Sequence, residues 1–170
     1  MHSSAEMQSR IHQLASKESN LRAQYETKVM AALRKGQFDE RVKNELIVMV
    51  ADQFGLEEQL YALRHNNTIK RQAEFVNHFN DIDYTNEEIE KLLGGDAAYL
   101  DTKYNVRSDA AQVLRDTFIK NRDRFVKILK QFVDKRNVYR KNDSTKLLEE
   151  LVMLKANLIK HLCIMEKIVL

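Results

Sequence analysis

The sequence contains no proline and only four glycines in 170 residues. Within a helix, proline costs about 3 kcal/mol and glycine about 1 kcal/mol relative to alanine. A chain that nearly avoids both residues can therefore be helical over most of its length. Its length favours a single domain over residues 1–170, and we expect that domain to be all-α.

Cysteine and long apolar runs are scarce as well. Cys163 is alone, so no disulfide can form within the chain, and none is needed for an intracellular protein. The longest apolar run, LIVMVA at 46–51, is far shorter than the roughly 20 residues that cross a bilayer. The N-terminal segment has no apolar core of the kind found in secretion signals. These absences predict a soluble, intracellular protein, cytoplasmic by default, without a membrane span.

Motifs for catalysis, metals and cofactors are also missing. The sequence Gly-Gly-Asp at 94–96 lacks the Lys-Ser/Thr ending of a phosphate-binding loop. His161 and Cys163 are two residues apart, so on one helix they point in different directions and cannot form a dyad. Asp81 and Asp83 could begin a calcium loop, but its sixth and twelfth positions lack the required Gly and Glu. We expect a protein that is not an enzyme and binds no cofactor, with His161 as a hydrogen-bonded core or interface residue.

Apolar residues at intervals of three and four predict several helices. The first runs from about Ser4 to Lys35 and is ended by Gly36. Its stripe of apolar residues is narrow, which suits a helix at the edge of a bundle or a projecting, coiled-coil-like helix. The second follows an N-cap at Asp39, and its broad apolar face, which includes Phe54, predicts a position deep in a core. Gly55 is a candidate kink. Residues 56–80 fit either one bent helix or two, with Thr68 capping the second.

A short helical insertion is predicted around residues 85–104. Thr85 and Glu88 have the spacing of a capping box for a helix from Asn86 to Leu93. Gly94 is expected in the left-handed position that ends this helix. Asp96 is expected to cap a second short helix at 97–104. The double glycine is thereby explained without any ligand.

The last two helices are predicted to carry much of the core. The longer one begins at Ser108 or Asp109 and has an aromatic residue at every seventh position, at Phe118, Phe125, Phe132 and Tyr139. Burying each ring contributes about 1.5–3 kcal/mol, which favours a core role over a ligand-binding one. The final helix runs from Thr145 to Leu170. The predicted fold is an all-α, irregular helical bundle of four to six helices with a long N-terminal helix.

Charge is distributed unevenly along the chain. Residues 115–141 hold ten Lys or Arg against three Asp, whereas residues 81–101 hold seven Asp or Glu and one Lys. The acidic block argues against a DNA-reading helix-turn-helix at the double glycine, because phosphates would repel it. Four interpretations of the basic helix remain open. Its charged side chains face solvent, bind an acidic segment of a protein partner, pair with the acidic insertion of the same chain, or bind a polyanion. The candidate polyanion-binding residues are Lys120, Arg124, Lys127, Lys130, Arg140 and Lys141.

The final turns, HLCIMEKIVL, are apolar on nearly every side. Such a helix must be covered either by its own bundle or by a partner. A chain end is rarely central to a monomer's core, so we predict a surface for a protein partner or for a second copy of the chain. The candidate partner-binding residues are Leu162, Ile164, Met165, Ile168, Val169 and Leu170.

The leading functional prediction is a non-catalytic interaction protein, such as an adaptor, a chaperone or a subunit of a larger complex. It would bind protein partners through apolar faces of the first and last helices. The alternative is a nucleic-acid-associated protein that uses the basic helix at 115–141, in which case binding would weaken steeply with salt.

Overall fold

The computed structural model describes residues 4–36, 39–65, 68–77 and 82–169, with all their side chains except those at positions 4, 6 and 7. Within these ranges the chain forms seven α-helices and no strand. The helices are α1 (Ser4–Lys35), α2 (Glu40–His65), α3 (Ile69–Asn77), α4 (Asn86–Leu93), α5 (Tyr99–Lys103), α6 (Gln112–Lys141) and α7 (Thr145–Val169). The all-α, irregular bundle with a long first helix and a short helical insertion is confirmed.

The first two helices begin and end where local chemistry predicts. Gly36 has a positive φ of 64° after the last turn of α1, the left-handed conformation that glycine adopts without a Cβ penalty. The Asp39 carboxylate accepts a hydrogen bond from the Val42 backbone N–H at 2.9 Å and caps α2. The two helices pack antiparallel, and ion pairing of Lys28 with Glu45 joins them.

The stretch at 56–80 contains two helices. Thr68 caps α3 by accepting a hydrogen bond from the Arg71 backbone N–H at 3.2 Å, which confirms that the chain restarts there. Lys155 of α7 is 1% exposed, and its ammonium donates to the backbone carbonyl of Phe75. That carbonyl is in the last turn of α3, where helical carbonyls lack a partner within the helix and a cation is favoured. A buried lysine thus attaches α3 to α7.

The helix α4 ends at Leu93 as predicted, but the left-handed glycine after it is one residue later than expected. Gly94 is right-handed with φ −76°, and Gly95 takes the left-handed position with φ 100°. The backbone N–H groups of Gly95 and Asp96 reach back to the carbonyls of Leu92 and Lys91 at 3.2 and 3.1 Å. This is a Schellman motif with its glycine at the second position of the pair, so the assignment of Gly94 as the left-handed residue was wrong.

Two predicted helix starts were also wrong. The helix α5 begins at Tyr99, and residue Asp96 contributes only its backbone carbonyl, 3.3 Å from the Tyr99 nitrogen. The helix α6 begins at Gln112, because the Asp109 carboxylate binds the Arg107 guanidinium at 2.8–3.0 Å. In both places a turn precedes the helix.

The insertion is held together by the carboxylate of Glu88. This carboxylate completes the capping box with the Thr85 backbone N–H at 3.1 Å and also accepts from the Tyr99 hydroxyl at 2.8 Å and the Lys103 ammonium at 2.6 Å. Hydrogen bonding to Lys103, followed by that to Thr85, lowers the pKa of Glu88 from 4.5 to about 2. One acidic side chain therefore joins α4 to α5.

An ion pair joins the insertion to the basic helix. The Arg122 Nη1 of α6 lies 2.6 Å from both carboxylate oxygens of Asp101. Two ring contacts also reach α6 from this region: Tyr84 meets Phe125 at a tilt with ring centroids 5.6 Å apart, and Tyr104 meets Phe118 edge-on at 6.1 Å. The intramolecular match of acidic insertion and basic helix is confirmed for this pair.

The core forms where α6 and α7 pack antiparallel. The heptad rings of α6 are buried, with Phe118, Phe125 and Phe132 fully enclosed, which confirms their core role. They face Leu148, Leu151, Val152, Leu158 and Met165 of α7. The helix α7 also packs against α2 and α3, so the final helix lies at the centre of the bundle.

Gly55 allows α2 and α7 to approach closely, and α2 continues as a helix through it to His65. A Cβ at this position would lie 2.9 Å from the Cβ of Lys160, closer than two carbon atoms can pack. The Lys160 ammonium also pairs with Asp52 at 2.6 Å. The candidate kink at Gly55 is instead the point where two helices are in near contact.

We expect the Gly55→Ala variant to lower the free energy of unfolding by about 1–3 kcal/mol, because the added methyl overpacks the contact. Helix propensity alone would raise stability by about 0.5–1 kcal/mol. Urea unfolding followed by circular dichroism measures the difference. Adding Lys160→Ala should not restore stability, since alanine keeps the offending Cβ. A gain in stability for Gly55→Ala would contradict the close approach.

We expect the stability of the Glu88→Gln variant to depend less on pH under acidic conditions than the stability of the wild type does. Because the folded-state pKa of Glu88 lies below its unfolded value, its contribution is complete above about pH 4.5 and lost as the pH falls towards 2. Over this range we expect the free energy of unfolding to fall by about 2 kcal/mol more in the wild type than in the variant, after allowing for the partial exposure of Glu88. Urea unfolding at pH 7, 4.5, 3 and 2 tests it, with about half of the difference expected by pH 3. Glu87→Gln, on the exposed side of the same turn, should follow the wild-type profile.

Candidate functional site

The apolar C-terminal end is largely covered by the chain itself. Leu162, Ile164 and Met165 are buried, and Ile168 and Val169 are half-buried. These last two side chains line a small crevice against Val106 and Leu114. Leu170 lies outside the described residues. Partner binding at this end stays a prediction, and in the isolated chain it concerns the half-buried Ile168 and Val169.

The six candidate polyanion-binding residues are all exposed. On a 100° helical wheel, five of them share one face of α6, while Arg140 points to the other side. That same face carries Asp116, Asp123 and Asp134, which are also exposed. Because both signs alternate along it, the field of this face is much weaker than the composition of residues 115–141 indicates. Nucleic-acid binding by this helix stays a prediction.

His161 pairs with an asparagine inside the bundle. Its Nδ1 lies 3.0 Å from the Asn121 Oδ1, and the Asn121 amide donates to the Thr117 carbonyl at 2.8 Å. Burial, together with the charges of Lys160 and Arg124, lowers the pKa of His161 to about 4. The imidazole is therefore neutral at pH 7, and the prediction of a hydrogen-bonded core histidine is confirmed.

The outer face of α2 carries an apolar strip, part of which we had expected in the core. Phe54 is 36% and Tyr61 58% exposed, and Ile47 and Val50 are half-buried on the same side of the helix. The ring of Tyr61 stacks on His65 with centroids 4.6 Å apart. The predicted deep position is wrong for Phe54, because α1 and α7 cover the opposite sides of α2.

A furrow runs along α7 beneath α1, and the sequence reasoning missed it. One cleft of about 420 Å³ lies between α1, α2 and α7, and a second of about 440 Å³ lies between α1, α6 and α7. The two share Asn157 as a wall residue. Along α7 the furrow extends from Lys146 to Lys160, which is about 21 Å at 1.5 Å per residue.

The furrow has a surplus of positive charge. Three ion pairs cross it: Arg10 with Glu149 at 3.1 Å, Lys135 with Glu150 at 3.0 Å and Lys160 with Asp52 at 2.6 Å. These pairs use all three acidic residues of its walls. The two remaining wall lysines, Lys17 and Lys146, are exposed and form no ion pair within the described residues.

Carboxamides line the rest of the polar surface. Asn20 and Gln24 come from α1, Gln59 from α2 and Asn157 from α7. Gln59 is only 6% exposed, and its amide makes no hydrogen bond to any described residue. The amide atoms are not among the fully buried side-chain atoms that lack a partner, so they reach the cleft, where water or a ligand can pair with them.

A sequence signal for the furrow exists in α1. Arg10, Lys17, Asn20 and Gln24 fall on one face of the helix at intervals of seven, three and four, beside the apolar seam of Leu14 and Leu21. A polar face next to a seam is also what an ordinary solvated helix shows. The contributions of α2 and α7 come from positions far apart in sequence, and only the fold brings them together.

Among the described residues, no group of three or more His, Cys, Asp or Glu could hold a metal ion. None of the described helices has the length and apolarity needed to cross a membrane. The furrow, by contrast, offers hydrogen-bond donors, hydrogen-bond acceptors and unpaired cations side by side.

Comparisons with known proteins identify the family. No solved structure matches the chain. A curated relative, "Protein kinase-interacting protein PIKP1" of Autographa californica nuclear polyhedrosis virus, is 29% identical over 136 residues, which cover 77% of this chain and 78% of the relative. The family model described as "Pkip-1 protein" matches residues 10–169. Because that match spans nearly the whole chain, the chain belongs to the Pkip-1 protein family.

Proposed function

We propose that this chain binds a protein kinase and acts on it as a non-catalytic partner, with the furrow along α7 as the binding site. The observation that carries this proposal is the family match across residues 10–169, together with the kinase-interacting name of the relative. The match includes every residue that lines the furrow, so a binding role shared by the family would have this surface available in the matched part of the chain.

The furrow is the surface that best supports such a role. Its two unpaired lysines and its carboxamide side chains leave polar groups that a partner can satisfy. The described residues bring no reactive pair together in it, since all three of its acidic groups are already joined in structural ion pairs. An adaptor or regulatory subunit fits this arrangement better than an enzyme does.

The experiment measures binding of the full chain to the protein kinases encoded by the same genome, each purified and immobilised for biolayer interferometry. We expect one kinase to bind with a Kd of about 1 µM or tighter, which corresponds to about 8 kcal/mol. The double variant Lys17→Glu/Lys146→Glu should weaken this binding at least about tenfold, because it reverses both unpaired charges of the furrow.

The matched control is Lys120→Glu/Lys127→Glu, which makes the same charge change on the exposed face of α6. It should change the Kd by less than about threefold, which is the size of effect expected for charges at the edge of an interface. If the control weakens binding and the furrow variant does not, the kinase site lies on α6 and the furrow assignment is wrong. If no kinase binds, the proposed function is wrong.

A further inference from the structure

We propose that the furrow takes an extended, acidic segment of the bound kinase and recognises it mainly through its peptide backbone. This inference rests on the proposed function, because the kinase supplies the segment. It adds the chemical class of the ligand and the residues that recognise it.

Gln59 provides the first support for backbone recognition. Its side chain is 6% exposed, makes no hydrogen bond to a described residue, and opens on the cleft between α1, α2 and α7. A carboxamide has one acceptor oxygen and two donor hydrogens, and a peptide group offers the complementary donor and acceptor. A segment lying in the furrow could therefore pair with an amide that lines the cleft and makes no hydrogen bond within the described chain.

Three further carboxamides extend this surface. Asn20, Gln24 and Asn157 line the same cleft, and none of them is paired within the described chain. A bare anion would use their N–H donors but would face repulsion from their oxygens, whereas a peptide chain can use both. Because Asn157 also borders the second cleft, the amide surface continues along α7.

The length and charge of the furrow define the segment. At about 3.4 Å per residue, a span of about 21 Å accommodates roughly six residues of extended chain. Lys17 borders the first cleft and Lys146 the second, so both clefts offer an unpaired cation. Acidic side chains are favoured beside these cations, and basic ones are disfavoured.

The probe is an eight-residue peptide of alternating Glu and Thr, acetylated and amidated, because β-branched Thr favours an extended backbone. It is titrated into the isotopically labelled full chain and followed through the side-chain NH₂ signals of asparagine and glutamine. We expect a Kd below about 1 mM, with shifts concentrated at Asn20, Gln24, Gln59 and Asn157. Absence of these shifts at 1 mM peptide, about the expected limit, overturns the inference.

Two control peptides separate charge from backbone recognition. The same peptide with Lys in place of Glu should leave the four amide signals unmoved. A Glu–Thr peptide with alternate backbone nitrogens methylated should bind at least about threefold more weakly, since it lacks half of its donors. Equal binding of the methylated peptide would show that charge alone is recognised, and backbone recognition would then be wrong.

The Gln59→Met variant distinguishes a binding residue from a structural one. Methionine has a similar shape and removes the unpaired amide, so the thermal unfolding midpoint should stay unchanged or rise. Peptide affinity should fall about threefold to tenfold. A lower midpoint with unchanged affinity would make Gln59 structural and overturn its assigned role.

The outcomes for peptide and kinase are separable. If a kinase binds and the peptide does not, the inference about the furrow is wrong while kinase binding stands. If the peptide binds in the furrow and no kinase does, the kinase as the source of the segment is wrong. Support for both requires that the peptide compete with the kinase and that Lys17→Glu/Lys146→Glu weaken the two together.

Discussion

The burial of α7 is the constraint on which the rest of the structure depends. This helix receives the phenylalanine heptad of α6 on one side, α2 on another and the last turn of α3 on a third. Two of its lysines show this enclosure, because Lys155 and Lys160 both end on partners supplied by neighbouring helices. The furrow exists because α1 covers α7 only in part, leaving the polar residues between 146 and 160 accessible beside it.

Features set by neighbours in sequence could be predicted, whereas features set by the packing partner could not. The limits of α1, the Asp39 cap and the Thr85–Glu88 capping box follow from side chains within four residues of the backbone groups that they satisfy. The roles of Gly94 and Gly95 were exchanged, since either glycine can adopt a positive φ and local sequence does not decide which one does.

The candidate site was harder to predict for a physical reason. An apolar helix end is equally well explained by burial within the monomer and by a partner, and periodicity carries no information about which one covers it. The structure covers Leu162, Ile164 and Met165 from within. The furrow combines side chains of α1, α2, α6 and α7 that are up to 150 residues apart, from Arg10 to Lys160, and no single stretch contains its pattern. Gln59 is the clearest case: on the sequence it is one polar residue in α2, and only its position in the cleft wall makes it informative.

The hydrogen bond between His161 and Asn121 has a consequence for how the bundle assembles. Leucine and phenylalanine seams tolerate sliding, because one turn of displacement replaces one apolar neighbour with another at modest cost. If α7 shifted along α6 by one turn, about 5.4 Å, the His161 imidazole and the Asn121 carboxamide would be buried among apolar side chains with no hydrogen bond to each other or to water. The pair thus favours a single register between α6 and α7. That register determines the positions of the acidic and basic side chains of these helices that face α1.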